Sequence, residues 1–295
     1  MTTPPQQLDI FAHSRDVMLR NDVLDALQRR DSTRAREAWR ALAAAFPEDA
    51  DLPALEVLAR TLEQHSDAPL PDHDALARER QGLAEDVAEA ARQALGAESG
   101  RAWLRPLWQA LAARSASLPF QAARADDHAA ALWLRAEDWQ AAARAVQGIE
   151  SWHRIPTPLA WMAEARCRLG GPDGSWALLA ELAWLAPKRL DRLLRRLDDP
   201  LFARLLKKFE ADFDDSDAPT GLSWFPAWVL TEAPALAPQL ARARPSQHSD
   251  AERGMRLMVE LLGLERQGRH HELVQHRRAL RDLHAPLYAA YMATR

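Results

Sequence analysis

The chain has 295 residues, 47% of them hydrophobic and 27% charged, with a net charge of −4. That is globular composition with length enough to bury a core, which excludes a disordered tail, and the charge excludes a global basic field for nucleic acid. With 11 glycines and one cysteine, no Gly-rich phosphate loop, paired-cysteine metal site or disulfide framework can be assembled.

The first residues, MTTPPQQLDIF, carry no cationic segment followed by a long apolar one, so residues 1–8 read as a flexible tail. The most apolar stretch, Trp176 to Leu185, is short and interrupted by Glu181, so no membrane span is expected and the protein reads as cytoplasmic. From Asp9 onward, Ala, Leu, Arg and Glu dominate and apolar residues recur at spacings of three and four, the pattern of an all-α protein. Val17, Leu24 and Leu27 predict the apolar stripe of a helix from about Asp9 to Arg29, with Asp31-Ser32-Thr33 as the turn and cap before a second helix. That second helix turns Ala35, Ala38, Trp39 and Leu42 inward and ends at Phe46-Pro47, and Pro53 to Gln64 forms a third. Residues 9–64 are therefore one helical unit, closed by a loop from His65 to Asp74.

The stretch 74–213 reads as a central helical array. Asp74 to Leu95 predicts a long helix stopped at Gly96, and Trp103 to Arg114 another that Pro106 must begin or kink. Further helices are expected near 121–136, 138–149, 157–169, 174–186, 188–197 and 199–213, separated by proline and glycine. Residues 214–295 divide into a proline-rich crossover to Ser249 and a last helical pair from Asp250 to Met292. Cys167, on an Ala-rich segment, reads as a small core residue rather than a nucleophile.

Several of these units are alike. Residues 24–50, with Ala35, Trp39 and Pro47, resemble the second half of a tetratricopeptide repeat, and residues 263–286 resemble it through the turn residue Gly268, with Leu273 and Arg277 departing from the usual small and aromatic residues. Weaker echoes stand at Ala136 to Trp139 and Gly174 to Trp176. The resemblance covers about half the chain on a generous count and implies a degenerate α-solenoid of antiparallel helix pairs whose concave face holds a peptide or partner protein.

The sharpest short signal is Gln7-Leu8-Asp9-Ile10-Phe11. It resembles the pentapeptide by which bacterial polymerases and repair proteins dock on the replicative sliding clamp, in which Leu8 and Phe11 would fill an apolar pocket, Gln7 supply a polar anchor and Asp9 stay solvated. The competing reading makes Asp9 a helix cap and Ile10 and Phe11 the start of an apolar face. Trp39, Trp133, Trp139, Trp161, Trp176 and Trp184 fall on apolar stripes and read as fillers between helices, whereas Trp224, Phe225 and Trp228 lie in the proline-rich crossover, as a seal of the stack or as an apolar docking surface.

Residues 188–208 carry eight basic against three acidic side chains. Leu190, Leu193, Leu194 and Leu197 take the buried side there, leaving Lys188, Arg192, Arg195, Arg196, Lys207 and Lys208 as a basic ridge. A solvated face, neutralised by the acidic run Glu210 to Asp217, is the plainer reading, with local phosphate or DNA contact the alternative. That acidic run fails as a calcium loop, since Asp217 takes the glycine position and Ser223 the bidentate acid position. His270, His271, His276 and His284 lack the spacing that puts two imidazoles on one metal. No metal, cofactor or catalytic set is implied. The sequence thus reads as a non-enzymatic adaptor binding a protein partner, with a clamp-tethered replication or repair factor as the alternative and an enzyme whose site no motif reveals as a third.

Overall fold

The structure, a computed structural model, describes residues 6–64, 66–213, 221–246 and 249–295, with the backbone alone for 6–14 and 212. These residues are helices and turns with no strand among them, so the chain is all-α. Among the described residues no helix is long and apolar enough to cross a membrane. The chain divides into two compact units, Met1–Asp138 and Trp139–Arg295, a division that falls inside the 74–213 segment.

The first unit holds α1 (Gln6–Gln28), α2 (Ser32–Ala45), α3 (Leu52–Glu63), α4 (His73–Gly82), a π-helical turn (Leu83–Val87), α5 (Ala88–Leu95), α6 (Ala97–Arg114) and α7 (Ala129–Arg135). Sequence neighbours pack on one another, α1 on α2, α2 on α3 and α5 on α6, with α3 also against α5. Local chemistry sets the boundaries. The Asp31 carboxylate accepts from the Arg34 amide at 3.0 Å, so α2 starts where the predicted cap stands. Asp72 does the same for α4, and Gly96, at φ 81°, ends α5. Gly100 lets α6 press on α5, since a Cβ there would lie 2.7 Å from the Ala91 carbonyl oxygen.

Three expectations change in this unit. Val17 is exposed, so the buried stripe of α1 is Val23, Ala26 and Leu27. Pro106 does not begin α6, which starts at Ala97; Ala102, Arg105 and Pro106 lie on the solvent side, where water can satisfy the carbonyl that proline leaves without a donor. Residues 121–136 are not one helix but a 3-10 turn (Ala122–Arg124) followed by α7. The strap leading into α7 is pinned by side chains. His73 Nε2 bonds the Pro119 carbonyl at 2.9 Å, Arg124 donates to Asp74 and to the His73 carbonyl, and Asp127 accepts from Arg80 at 2.7 Å. An indole and a guanidinium join distant helices: Trp103 Nε1 donates to the Leu27 carbonyl at 2.9 Å, while Arg30 bonds the Trp103 carbonyl and lies over its ring.

The second unit holds α8 (Trp139–Gln147), α9 (Pro156–Gly170), α10 (Trp176–Leu185), α11 (Pro187–Leu197), α12 (Pro200–Asp212), α13 (Phe225–Glu232), α14 (Ala237–Leu240), α15 (Asp250–Gln267), α16 (His270–Leu283) and α17 (Ala285–Ala293). The expected final pair is three helices, because His284 is extended, caps α17 by accepting from the Leu287 amide at 3.1 Å, and is followed by Pro286. The centre of the unit is α13, buried from Phe225 through Thr231 and packed against α10, α15 and α17. A helix apolar on every side has to be covered on every side. Trp228 meets Phe209 edge-on and Trp224 stacks on His284. Gly254 of α15 makes room, since a Cβ there would stand 2.5 Å from Trp224 Cζ3.

The substitution Gly254→Ala is expected to lower the stability of the second unit by about 1–3 kcal/mol through overpacking. Gly263→Ala on the same helix, where an added Cβ meets nothing within 4 Å, should raise it by about 0.5–1 kcal/mol. Urea unfolding followed by far-ultraviolet circular dichroism measures both.

Candidate functional site

In the first unit, the end of α3, the α4 to α5 segment and α6 enclose a groove of about 420 Å³. Leu83, Val87, Leu107 and Leu111 form its apolar side, while Thr61, Gln64, Ser66, Glu79 and Arg114 stand on its rim. Its two charges answer each other: Arg114 donates both terminal nitrogens to Glu79 at 2.5 and 2.8 Å, and its Nε holds the Ala68 carbonyl at 2.8 Å. The Thr61 hydroxyl is turned back to the Val57 carbonyl at 2.7 Å. The groove thus joins an apolar side to a polar rim of equal weight and carries no net charge, on a unit with 16 basic against 23 acidic residues.

Two irregularities meet in its wall. Gly82 sits inside a helical run, half-buried, with nothing within 4 Å of where a Cβ would stand. Packing does not call for it, yet glycine in a helix costs about 0.5–1 kcal/mol relative to alanine. Directly after it the backbone widens into the π turn, a form found mostly as single turns within α-helices and often at functional sites. In chemical terms the groove offers apolar contact, uncharged polar groups and one internally paired couple of charges; among the described residues it presents no nucleophile paired with a base.

The residues singled out from sequence are dispersed. Gln7, Leu8, Asp9, Ile10 and Phe11 belong to α1, which begins at Gln6 rather than near Asp9, and their side chains lie outside the described residues. Trp224, Phe225 and Trp228 are 6%, 1% and 2% exposed. They are the seal of the second unit and offer no docking surface, because their rings are spent on Phe209, His284 and each other. The ridge residues Lys188, Arg192, Arg195, Arg196, Lys207 and Lys208 are exposed as expected, with part of the charge compensated: Arg195 pairs with Asp191 and Glu210, Arg196 with Glu164 and Lys208 with Glu232. Among the described residues no group of three or more His, Cys, Asp or Glu is placed to hold a metal ion. Asp214 and Ser216 of the rejected calcium loop lie outside them. Cys167 is buried, and burial pushes its thiol above the ordinary range.

A second polar cluster, in the other unit, grips the segment before α15. Glu252, fully buried, accepts from the Ser246 amide and hydroxyl and from Arg256. Glu181 of α10 accepts from the Arg244 amide at 2.9 Å, and burial raises its carboxyl above the usual range. Both carboxylates face backbone donors and a guanidinium, the arrangement of a latch that fixes a loop. Glu181 was visible as the one acid in an apolar run, whereas Glu252 carries only the mark of a helix start, three residues after the cap Ser249. Comparison of the chain with protein families, with curated proteins and with solved structures finds no match.

His128 supplies a pH dependence. Burial, and secondarily the nearby His73, lowers its pKa from 6.5 to about 4, and its neutral Nδ1 accepts from the Ala130 amide at 3.1 Å. The unfolded chain therefore takes up this proton first, so the stability that neutral His128 contributes is complete above about pH 6.5 and is lost as the pH falls toward 4. The urea midpoint should drop between pH 7 and pH 5, and the drop should be smaller in His128→Asn, whose side-chain oxygen can cap α7 without titrating.

Proposed function

We propose that the protein is a binding module rather than an enzyme, and that the groove beside Gly82 and the π turn receives an uncharged, apolar segment of a partner polypeptide. On this reading the helix pairs are degenerate tetratricopeptide-like repeats, and the groove is the counterpart of the surface by which such repeats hold peptides. The observation that carries it is the coincidence of the two local irregularities with the apolar side of the groove. A glycine without a packing reason and a π turn, both in one wall, are what a site needs when a ligand approaches backbone closely. The internal pairing of Glu79 with Arg114 supports the chemistry of the partner: the rim charges are already satisfied, so an apolar side chain entering between Leu83 and Leu107 strands no charge.

The test is selection of peptides from a displayed random library on the full chain, followed by titration of the enriched peptide. Enriched sequences are expected to carry two large apolar residues close together. Gly82→Leu should weaken their binding at least tenfold while leaving the melting temperature equal or higher, because an added Cβ meets nothing within 4 Å and leucine is the better helix former. Binding indifferent to Gly82→Leu, or enrichment of charged peptides only, would overturn the proposal.

A further inference from the structure

The chain uses arginine almost everywhere it needs a positive charge, yet all three of its lysines, Lys188, Lys207 and Lys208, fall on α11 and α12. The second unit, with 22 basic against 19 acidic residues, is also the basic half of an acidic protein. On α11 the leucines Leu190, Leu193, Leu194 and Leu197 are buried, and on α12 so are Phe202, Leu205, Leu206 and Phe209. The cations of both helices, the half-buried Arg189 apart, are left to solvent. Arg195 reaches Asp191 at 2.8 Å on its own helix and Glu210 at 2.6 Å on the next, which bridges the solvent sides of α11 and α12.

Within that face the charges fall into two sets. Arg195, Arg196 and Lys208 hold carboxylates. Lys188, Arg192, Arg204 and Lys207 are exposed and hold no carboxylate among the described residues. Lys188 and Arg192 stand one helical turn apart, as do Arg204 and Lys207, so the uncompensated charge is spread over two helices rather than gathered at a point. Four such cations on two packed helices match a ligand with charge distributed along its length. The aromatic side chains of the segment, Phe202, Phe209 and Phe213, are buried, so the face offers no ring on which an unpaired base could stack.

We infer that the outer face of α11 and α12 is a sequence-independent contact surface for the phosphate backbone of duplex nucleic acid. It is separate from the groove of the first unit and does not depend on what that groove binds. The contacts are charge to phosphate, made by Lys188, Arg192, Arg204 and Lys207, with no reading of base edges.

Fluorescence anisotropy of a labelled 20-base-pair duplex, titrated with the full chain at 50 to 200 mM salt, tests the inference. Four phosphate contacts predict a slope of log K against log salt of about −3.5, a loss of roughly 100-fold across that range. The triple variant Lys188→Glu, Arg192→Glu, Lys207→Glu should bind at least tenfold more weakly at 50 mM salt. Its helicity and melting temperature should match the parent, since these side chains hold no ion pair that the substitutions break. The inference is overturned if the parent does not bind at 50 mM salt, if the slope is near zero, or if the variant binds equally. Tighter binding of a single strand of the same length would also overturn it. So would polyglutamate that competes as well as duplex at equal charge, which would assign the face to acidic proteins.

Discussion

Apart from α1, the helices of this protein run from four to eighteen residues, and in water such lengths are marginal or worse on their own. Everything else follows from that constraint. Each helix persists because an apolar stripe is covered, mostly by the helix next to it in sequence, and the covering is tight enough that glycine is required at Gly100 and Gly254 for backbone or indole to fit. Where neighbour packing does not suffice, single long-range devices take over. Trp103 and Arg30 join α6 to the end of α1, across more than 70 residues, and the buried carboxylates of Glu181 and Glu252 hold a loop that no helix contains.

The two units solve the same constraint differently. In the first, the order of packing follows the order of the chain. In the second, α13 is inserted at the centre and touches helices before and after it, so the unit is organised around one apolar segment. Trp228 and Phe225 do at the centre what a row of leucines does between paired helices. The arginines laid over Trp103, Trp108, Trp152 and Trp184 serve at the edges, covering indole faces while keeping their own heads near water.

Most helix ends were legible because they rest on short-range chemistry: Asp31 as a cap, Gly96 and Gly268 in positive φ, prolines at the starts of α3, α9, α11 and α12. What escaped the sequence depends on partners far along the chain. The strap before α7 has helical composition, but Arg80, Arg124 and His73 hold it in another form. Val17 has the spacing of a core residue, and only the position of α2 and α3 decides that it faces solvent. The basic ridge could be read because leucine spacing fixes which side of α11 is out. The groove could not, because a π turn has no residue signature; Gly82 in an Ala-rich helix was its one visible trace.

The placement of the lysines has a practical side. Apart from the amino terminus, every primary amine of the molecule lies on α11 or α12. Apart from that terminus, an amine-reactive dye, cross-linker or resin will therefore attach to the second unit, and side-chain coupling leaves the first unit untouched. A protein immobilised through its lysines would present the Gly82 groove free of chemical modification, and the same coupling would cover the face from which its positive charge projects.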